Sequence, residues 1–129
     1  MDAPTGLEYY HRLAKEGDLE GMTATGICLI EGLGTDFGRE KEGLDWLIKA
    51  HSQGGAQACY ELGILYYAGL PNVVTEDEAT AFKYFESAAE AEHVAGMFMT
   101  ADCLLDAVGC EQDIPRAISL LYAAAEKGH

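Results

Sequence analysis

A spacing of 36 to 38 residues recurs along this chain of 129 residues, and it constrains the fold more than any other feature. The clearest unit spans 56–89 and reads as two helices joined by a turn at about 70–77. Within it, the small residue Gly63 stands among large ones such as Tyr66 and Phe85. A glycine inside a helix costs about 1 kcal/mol relative to alanine. We therefore predict a steric use for Gly63, in which it lets the second helix approach closely.

The rest of the chain repeats this unit in register. Gly26 occupies the place of Gly63 one repeat earlier, and Ala101 occupies it one repeat later. The segment at 6–13 matches a second helix only. In such an array each hairpin buries its apolar face against its neighbours. We predict a single repeat domain over 1–129, with a half repeat at 1–17 and whole repeats at 18–54, 55–92 and 93–129.

The pattern Leu62-Gly63-x-x-Tyr66-x-x-Gly69, followed by Ala81-x-x-Tyr84-Phe85-x-x-Ala88-Ala89, resembles the Sel-one-like repeat, a relative of the tetratricopeptide repeat. The resemblance covers the whole chain. It implies an all-α fold, an α-solenoid of helix-turn-helix repeats with about seven helices in a right-handed superhelix. It also implies a non-enzymatic adaptor, because members of that family mostly assemble protein complexes.

Turn and capping residues place the helices. We predict helices at about 5–16, 19–31 and 40–52, with a Gly-rich turn at 32–38. In the later repeats, Thr75 or Asp77 is the expected cap of one second helix and Asp113 that of the next, with Pro115 in its first turn. We expect no strand.

The charge balance indicates which classes of partner the surface can attract. Eight lysines and arginines against 22 aspartates and glutamates give a net charge of −14. Such a surface repels phosphate backbones and anionic lipids, so nucleic acid and membrane surfaces are poor candidate partners. A basic protein segment is a better one. The alternative is that the acidic residues only keep the helix surfaces soluble.

The cysteines favour a reducing, intracellular compartment, either the cytoplasm or an organelle interior. Cys28 and Cys103 occupy equivalent positions in different repeats, so a repeat or more should separate them. Cys59 occupies a position that is apolar in the other repeats, and Cys110 lies in a turn. A bond between Cys103 and Cys110 is the alternative that stays open. Secreted proteins of the resembling family pair cysteines eight residues apart, and the matching positions here, such as His51 with Cys59, cannot form a bridge.

No residue set points to catalysis, a metal or a cofactor. Asp102 and Asp106 have a one-turn spacing, but two carboxylates are a weak metal signal. His93 and His129 lie at repeat ends, where packing or capping is the expected role. The chain has no S-x-x-K motif and no G-x-G-x-x-G loop after a strand. No segment approaches the 18 apolar residues of a membrane span, so we expect a soluble chain, although an upstream targeting segment is left open.

The first helix of each repeat has one face that packs against its partner helix. A row of residues roughly opposite that face is more apolar than a solvent-exposed face requires. In solenoids of the resembling type the first helices line the concave surface, so we predict that this row forms a partner-binding groove. Its members are Thr23, Ile27, Ile30, Tyr60, Ile64, Tyr67, Phe98, Asp102 and Leu105. The alternative is that these residues pack against the neighbouring first helix.

The last helix predicts a second contact surface. Ile118, Leu121 and Ala125 lack a following hairpin that would cover them. We expect either a fragment of a longer array, which we prefer, or a face covered by a partner or a second copy. The main functional hypothesis is a scaffold that binds a peptide or protein segment in its groove. The alternative is a structural subunit or assembly factor that makes contact through its terminal faces.

Overall fold

The computed structural model describes residues 6–33 and 38–128, and within them it confirms the predicted all-α fold. The regular elements are α1 (Gly6–Lys15), α2 (Leu19–Glu31), α3 (Glu40–Ser52), α4 (Ala56–Ala68), α5 (Glu78–Glu90), α6 (Val94–Asp106) and α7 (Ile114–Lys127). In this part of the chain, the strand-like pairing is one isolated bridge between Leu70 and Val74. Thr5, residues 34–37 of the predicted Gly-rich turn and His129 lie outside the described residues.

Short polar side chains fix where the helices begin. The predicted caps Asp77 and Asp113 are confirmed, since their carboxylates accept hydrogen bonds from the backbone N–H groups of Thr80 and Arg116, each over 3.1 Å. His93 caps α6, because its Nδ1 accepts from Gly96 N–H over 3.0 Å. Asp18 caps α2 in the same way, a role that the sequence analysis did not assign. Each cap satisfies a helix-end N–H that has no partner within the helix.

The chain divides into two compact units, and the first comprises Met1–Ala58. In it, α2 packs against both α1 and α3. Glycines at the contacts allow these helices to lie close together. A Cβ atom at Gly21 would lie 2.7 Å from Leu13 Cβ, and one at Gly26 would lie 2.8 Å from the carbonyl oxygen of Gly43. The close packing of this unit therefore depends on positions without a side chain.

The second unit comprises Cys59–His129, and in it α6 packs against both α5 and α7. Its core contains Phe82, Phe85 and Leu104, which are at most 9% exposed. The steric role predicted for Gly63 is confirmed, because a Cβ atom there would lie 2.6 Å from two ring carbons of Phe85. Among the described residues, no helix is both long enough and apolar enough to span a bilayer. The handedness of the superhelix and the repeat boundaries stay predictions.

Candidate functional site

The first unit carries an open hollow of about 510 Å³ beside α2, which we call the α2 hollow. Part of its lining lacks side chains, at the point where the chain turns into α4. Gly54 has a positive φ of 88°, and a Cβ atom at Gly55 would lie 2.9 Å from the carbonyl oxygen of Ala50. Both positions thus require glycine. The lining residues are Leu19, Glu20, Thr23, Ala24, Ile27, Gly54, Gly55, Ala56 and Gln57.

The chemistry of the α2 hollow is mainly apolar. The Thr23 hydroxyl donates to the carbonyl of Leu19 over 3.0 Å, so its hydrogen-bonding need is met within α2. Ile27 is half-buried, and the ionisable group in the lining is the exposed Glu20. An apolar recess with a carboxylate at its edge suits an apolar side chain that has a basic neighbour.

Two of the three groove residues predicted on α2, Thr23 and Ile27, line this hollow. Ile30 points elsewhere. It packs against α3 within the hairpin, where its Cγ1 would lie 2.8 Å from a Cβ atom placed at Gly43. The structure therefore separates Ile30 from the other two.

The second unit carries a smaller hollow of about 280 Å³ beside α6, which we call the α6 hollow. It brings together the predicted residues Tyr67 and Asp102. The other lining residues are Met99, Cys103, Asp106 and Val108. Tyr67 is 43% exposed, and both aspartates are exposed, so an aromatic ring and two carboxylates face solvent together.

The remaining predicted groove residues of the second unit differ in exposure. The Tyr60 ring centroid lies 6.0 Å from that of Phe85 and 5.1 Å from that of His93. Ile64 and Leu105 are half-buried against the core of the unit. Phe98, in contrast, is 42% exposed. Among the predicted groove residues of this unit, the accessible aromatic surface is therefore contributed by Tyr67 and Phe98.

The outer face of α7 forms a third exposed surface. The predicted contact residues Ile118, Leu121 and Ala125 line a depression of about 300 Å³ together with Tyr122. Tyr122 is 71% exposed, and the sequence analysis missed it although it lies one helical turn after Ile118. The i, i+4 spacing of the two residues was the signal that could have identified it.

The four cysteines are free thiols in this structure. Burial is the main cause that raises the pKa of all four, and it raises that of Cys103 to about 11. Cys110 Sγ donates to the carbonyl of Cys103 over 3.4 Å. At neutral pH these groups stay protonated, which disfavours a role as nucleophile. Within 6–33 and 38–128, no three histidine, cysteine or acidic side chains come together as a metal site.

Tandem helical hairpins held together by small residues at their contacts define an α-solenoid repeat protein. The Sel1 repeat matches residues 2–18, 19–55, 56–93 and 94–129, so the chain belongs to the Sel1 repeat family. Sel1 repeat proteins are generally non-catalytic scaffolds for protein interaction.

Solved structures with the same fold include a Sel1 repeat protein from Oxalobacter formigenes, with 27% identity and a TM-score of 0.86 over 95% of this chain and 47% of that one. A protective antigen of uropathogenic Escherichia coli has 25% identity and a TM-score of 0.83 over 95% of this chain and 26% of that one. Cysteine-rich protein B of Helicobacter pylori has 16% identity and a TM-score of 0.73 over 99% of this chain and 95% of that one, a likeness of fold alone.

A curated relative is the chitin synthase regulator SKT5 of Saccharomyces cerevisiae, which is 33% identical over 103 residues. The match covers 75% of this chain and 14% of the yeast protein. The chain thus spans a small part of that relative and less than half of the Oxalobacter protein.

Proposed function

We propose that the chain is a non-catalytic scaffold that binds a segment of a partner protein in the hollows along its first helices. The observation that carries this proposal is the α2 hollow, an open and mainly apolar recess of about 510 Å³ lined by Thr23 and Ile27. Its volume lies within the range of pockets that hold a ligand group, about 300 to 1,000 Å³. The α6 hollow adds Tyr67 from α4 and Asp102 from α6. Phe98, which also lies on α6, is exposed.

The partner segment that fits best combines apolar and basic side chains. The apolar side chain enters the α2 hollow and a lysine or arginine pairs with Glu20 at its edge. In the α6 hollow, an aromatic or aliphatic side chain contacts Tyr67 while a basic one pairs with Asp102 and Asp106. The net charge of −14 supports a basic partner, because it accelerates encounter with positively charged chains.

A selection from a random peptide library displayed on phage tests this proposal, and it does not require the partner to be identified first. We expect the chain to enrich peptides that contain lysine or arginine next to leucine, isoleucine or an aromatic residue. Their affinity should fall as NaCl is raised, since exposed ion pairs are screened. It should fall at least about tenfold in Ile27→Glu, which places a charge in the α2 hollow.

The control variant is Ile48→Glu on α3, whose side chain is 43% exposed and does not line the α2 hollow. It should bind the selected peptides as the unchanged chain does. Enrichment of acidic peptides, equal loss in both variants, or no enrichment at all would contradict the proposal.

The proposal includes a reducing compartment, and the four unbridged cysteines support it. Alkylation with iodoacetamide followed by mass spectrometry tests the thiol state. In protein isolated under conditions that trap thiols, all four cysteines should be modified after unfolding. In folded protein, the half-buried Cys28 and Cys110 should react before the buried Cys59 and Cys103. Recovery of a Cys103–Cys110 disulfide would contradict the proposed compartment.

A second candidate function is that of a structural subunit held in a larger assembly through its terminal faces. The observation that favours it is the exposed face of α7, where Ile118 is 46% and Tyr122 is 71% exposed. Large apolar side chains exposed next to one another often mark a contact surface.

A further inference from the structure

Thr75 is the one serine or threonine that lies outside the helices in the part of the chain that the structure describes. It stands between Val74, which pairs with Leu70, and Asp77, which caps α5. The other described serines and threonines belong to helices, and they are Thr23, Thr25, Ser52, Thr80, Ser87, Thr100 and Ser119. Enzymes that modify side chains act mainly on exposed segments between helices or strands. Thr75 is therefore the residue of its kind that is best placed for such an enzyme.

The hydroxyl of Thr75 does not hold the fold together. Thr75 or Asp77 was the expected cap of α5, and in the structure the cap is Asp77. Its Oδ1 accepts from the Thr80 N–H over 3.1 Å, and its Oδ2 accepts from the Thr80 hydroxyl over 2.8 Å. Thr75 is exposed, and its side chain forms no hydrogen bond with any residue that the structure describes. Its oxygen is therefore available to react.

Backbone hydrogen bonds hold the segment around Thr75 in place. Before it, the N–H of Leu70 donates to the carbonyl of Val74 and the N–H of Val74 donates to the carbonyl of Leu70, each over 2.8 Å. After it, the N–H of Asp77 donates to the carbonyl of Tyr66 over 2.8 Å. Thr75 lies between these two anchors with its side chain exposed. The fold thus presents this hydroxyl at the surface in a defined position.

Three acidic residues follow Thr75 directly, Glu76, Asp77 and Glu78, and all three are exposed. Asp77 is used as the cap, but Glu76 and Glu78 form neither a hydrogen bond nor an ion pair with any described residue. The stretch 70–82 contains no lysine or arginine that could neutralise them. Carboxylates at the first and third places after a hydroxyl form a charge pattern that a cleft lined with arginine and lysine can recognise.

We infer that Thr75 is an acceptor site for a protein kinase whose substrate cleft presents basic side chains to the acidic residues after the acceptor. In the reaction, Thr75 Oγ1 attacks the γ-phosphorus of ATP, which the kinase binds together with Mg²⁺. The new O–P bond forms while the bond between the γ-phosphorus and the bridging oxygen breaks, so ADP leaves with that electron pair. The hydroxyl proton passes to the catalytic base of the kinase.

The phosphate adds charge and leaves the cap of α5 in place. It stands two residues before Asp77, whose bonds to Thr80 do not involve Thr75. A phosphothreonine carries about 1.5 to 2 negative charges at pH 7, so the net charge of −14 becomes about −16. In the proposed function this charge strengthens the attraction for a basic partner. That consequence rests on the proposed function, whereas the modification itself does not.

The test incubates the folded 1–129 chain with ATP, Mg²⁺ and a purified serine/threonine kinase that prefers acidic residues after its acceptor. Mass spectrometry of the intact chain and of its peptides locates the phosphate. We expect one phosphate per chain, at Thr75, and none in Thr75→Val, which keeps the β-branched shape. A kinase that requires arginine before its acceptor should not modify Thr75, because no arginine or lysine lies within 50–82.

Two pairs of substitutions separate recognition of the segment from the effect of overall charge. Glu76→Gln combined with Glu78→Gln should lower the rate of phosphorylation at least about tenfold, because the basic side chains of the kinase lose both carboxylates. Glu90→Gln combined with Glu111→Gln removes the same charge from exposed sites elsewhere and should leave the rate unchanged. Ser87→Ala should also leave it unchanged. Ser87 has Glu90 three residues later, but it lies within α5.

An absence of phosphate at Thr75 in the folded chain would overturn the inference, and so would equal rates for the two pairs of substitutions. Phosphorylation of a free 70–82 peptide but not of the folded chain would overturn it as well, because the folded segment would then not enter a kinase cleft. None of these results bears on peptide selection at the α2 hollow, which tests the proposed function separately.

Discussion

At the scale of single residues, two buried threonines in equivalent positions have different hydrogen bonding. Thr100 Oγ1 donates to the carbonyl of Gly96 over 2.7 Å. Thr25 is 0% exposed, and its hydroxyl has no hydrogen-bond partner within the part of the chain that the structure describes. A buried hydroxyl without a partner costs about 1 to 3 kcal/mol of desolvation.

We therefore expect Thr25→Val to raise the free energy of unfolding by about 1 kcal/mol. Valine has nearly the same shape and is also β-branched, so helix propensity changes little. The matched control Thr100→Val removes a hydrogen bond and should lower stability by about 1 kcal/mol. Urea unfolding monitored by circular dichroism gives both values. A loss of stability in Thr25→Val equal to that in Thr100→Val would show that the Thr25 hydroxyl is satisfied.

His93 links stability to pH. Burial lowers its pKa, and its neutral ring caps α6 by accepting from Gly96 N–H. The unfolded chain therefore binds this proton more readily than the folded chain does. Stability should rise as the pH increases from about 5 to 7, because the protonated ring can no longer accept that hydrogen bond.

The variant His93→Asn separates this effect from other titrations, since asparagine also caps a helix but does not titrate. Its unfolding free energy should vary less between about pH 5 and 7 than that of the unchanged chain. Equal slopes in both proteins would exclude His93 as the source.

At the scale of helices, the contact between α4 and α5 depends on Gly63. A Cβ atom there would lie 2.6 Å from two ring carbons of the fully buried Phe85. We expect Gly63→Ala to lower stability by about 1 to 3 kcal/mol, the usual cost of overpacking. This exceeds the gain of about 1 kcal/mol that alanine brings in a helix interior.

Gly6→Ala is the control for helix propensity, because a Cβ atom at Gly6 would meet Tyr10 at an ordinary 3.9 Å. It should leave stability unchanged or raise it slightly. If Gly63→Ala were as stable as Gly6→Ala by thermal unfolding, the ring of Phe85 would have to move at little cost. The steric account of the glycine would then be wrong.

The helices could be predicted more fully from the sequence than the candidate site, because the two depend on different kinds of contact. Glycines such as Gly63 and caps such as Asp113 act through local geometry, so their spacing indicates where helices begin and how closely they pack. Burial of Tyr60 depends instead on the Phe85 and His93 rings, which approach from other parts of the chain. A helical wheel places Tyr60 and Tyr67 on one side but does not show that Tyr67 alone is well exposed. The α2 hollow was not predicted, because part of its lining is a pair of glycines at a turn, Gly54-Gly55, which the helix pattern does not mark as a site.

At the scale of the whole molecule, the net charge of −14 is a source of self-repulsion. Acidic side chains outnumber basic ones by 22 to 8, so most of them have no basic partner available. The ion pairs found among the described residues, such as Lys41 with Asp45 at 3.8 Å, are largely exposed. Exposed ion pairs contribute little to the free energy of unfolding. Salt can therefore remove only a small stabilising contribution by weakening them. Repulsion should therefore dominate the response to salt.

We expect added NaCl to raise the midpoint of urea unfolding. Most of the gain should appear below about 0.1 M, because the Debye length falls from about 30 Å at 0.01 M to about 10 Å at 0.1 M. Replacing the exposed Glu16, Glu90 and Glu111 by glutamine lowers the negative charge by three and should reduce the gain. Urea carries no charge, so ionic strength is set by NaCl alone. A midpoint that falls with salt would mean that the exposed ion pairs outweigh the repulsion, and the net charge would then not be what limits the stability of this repeat array.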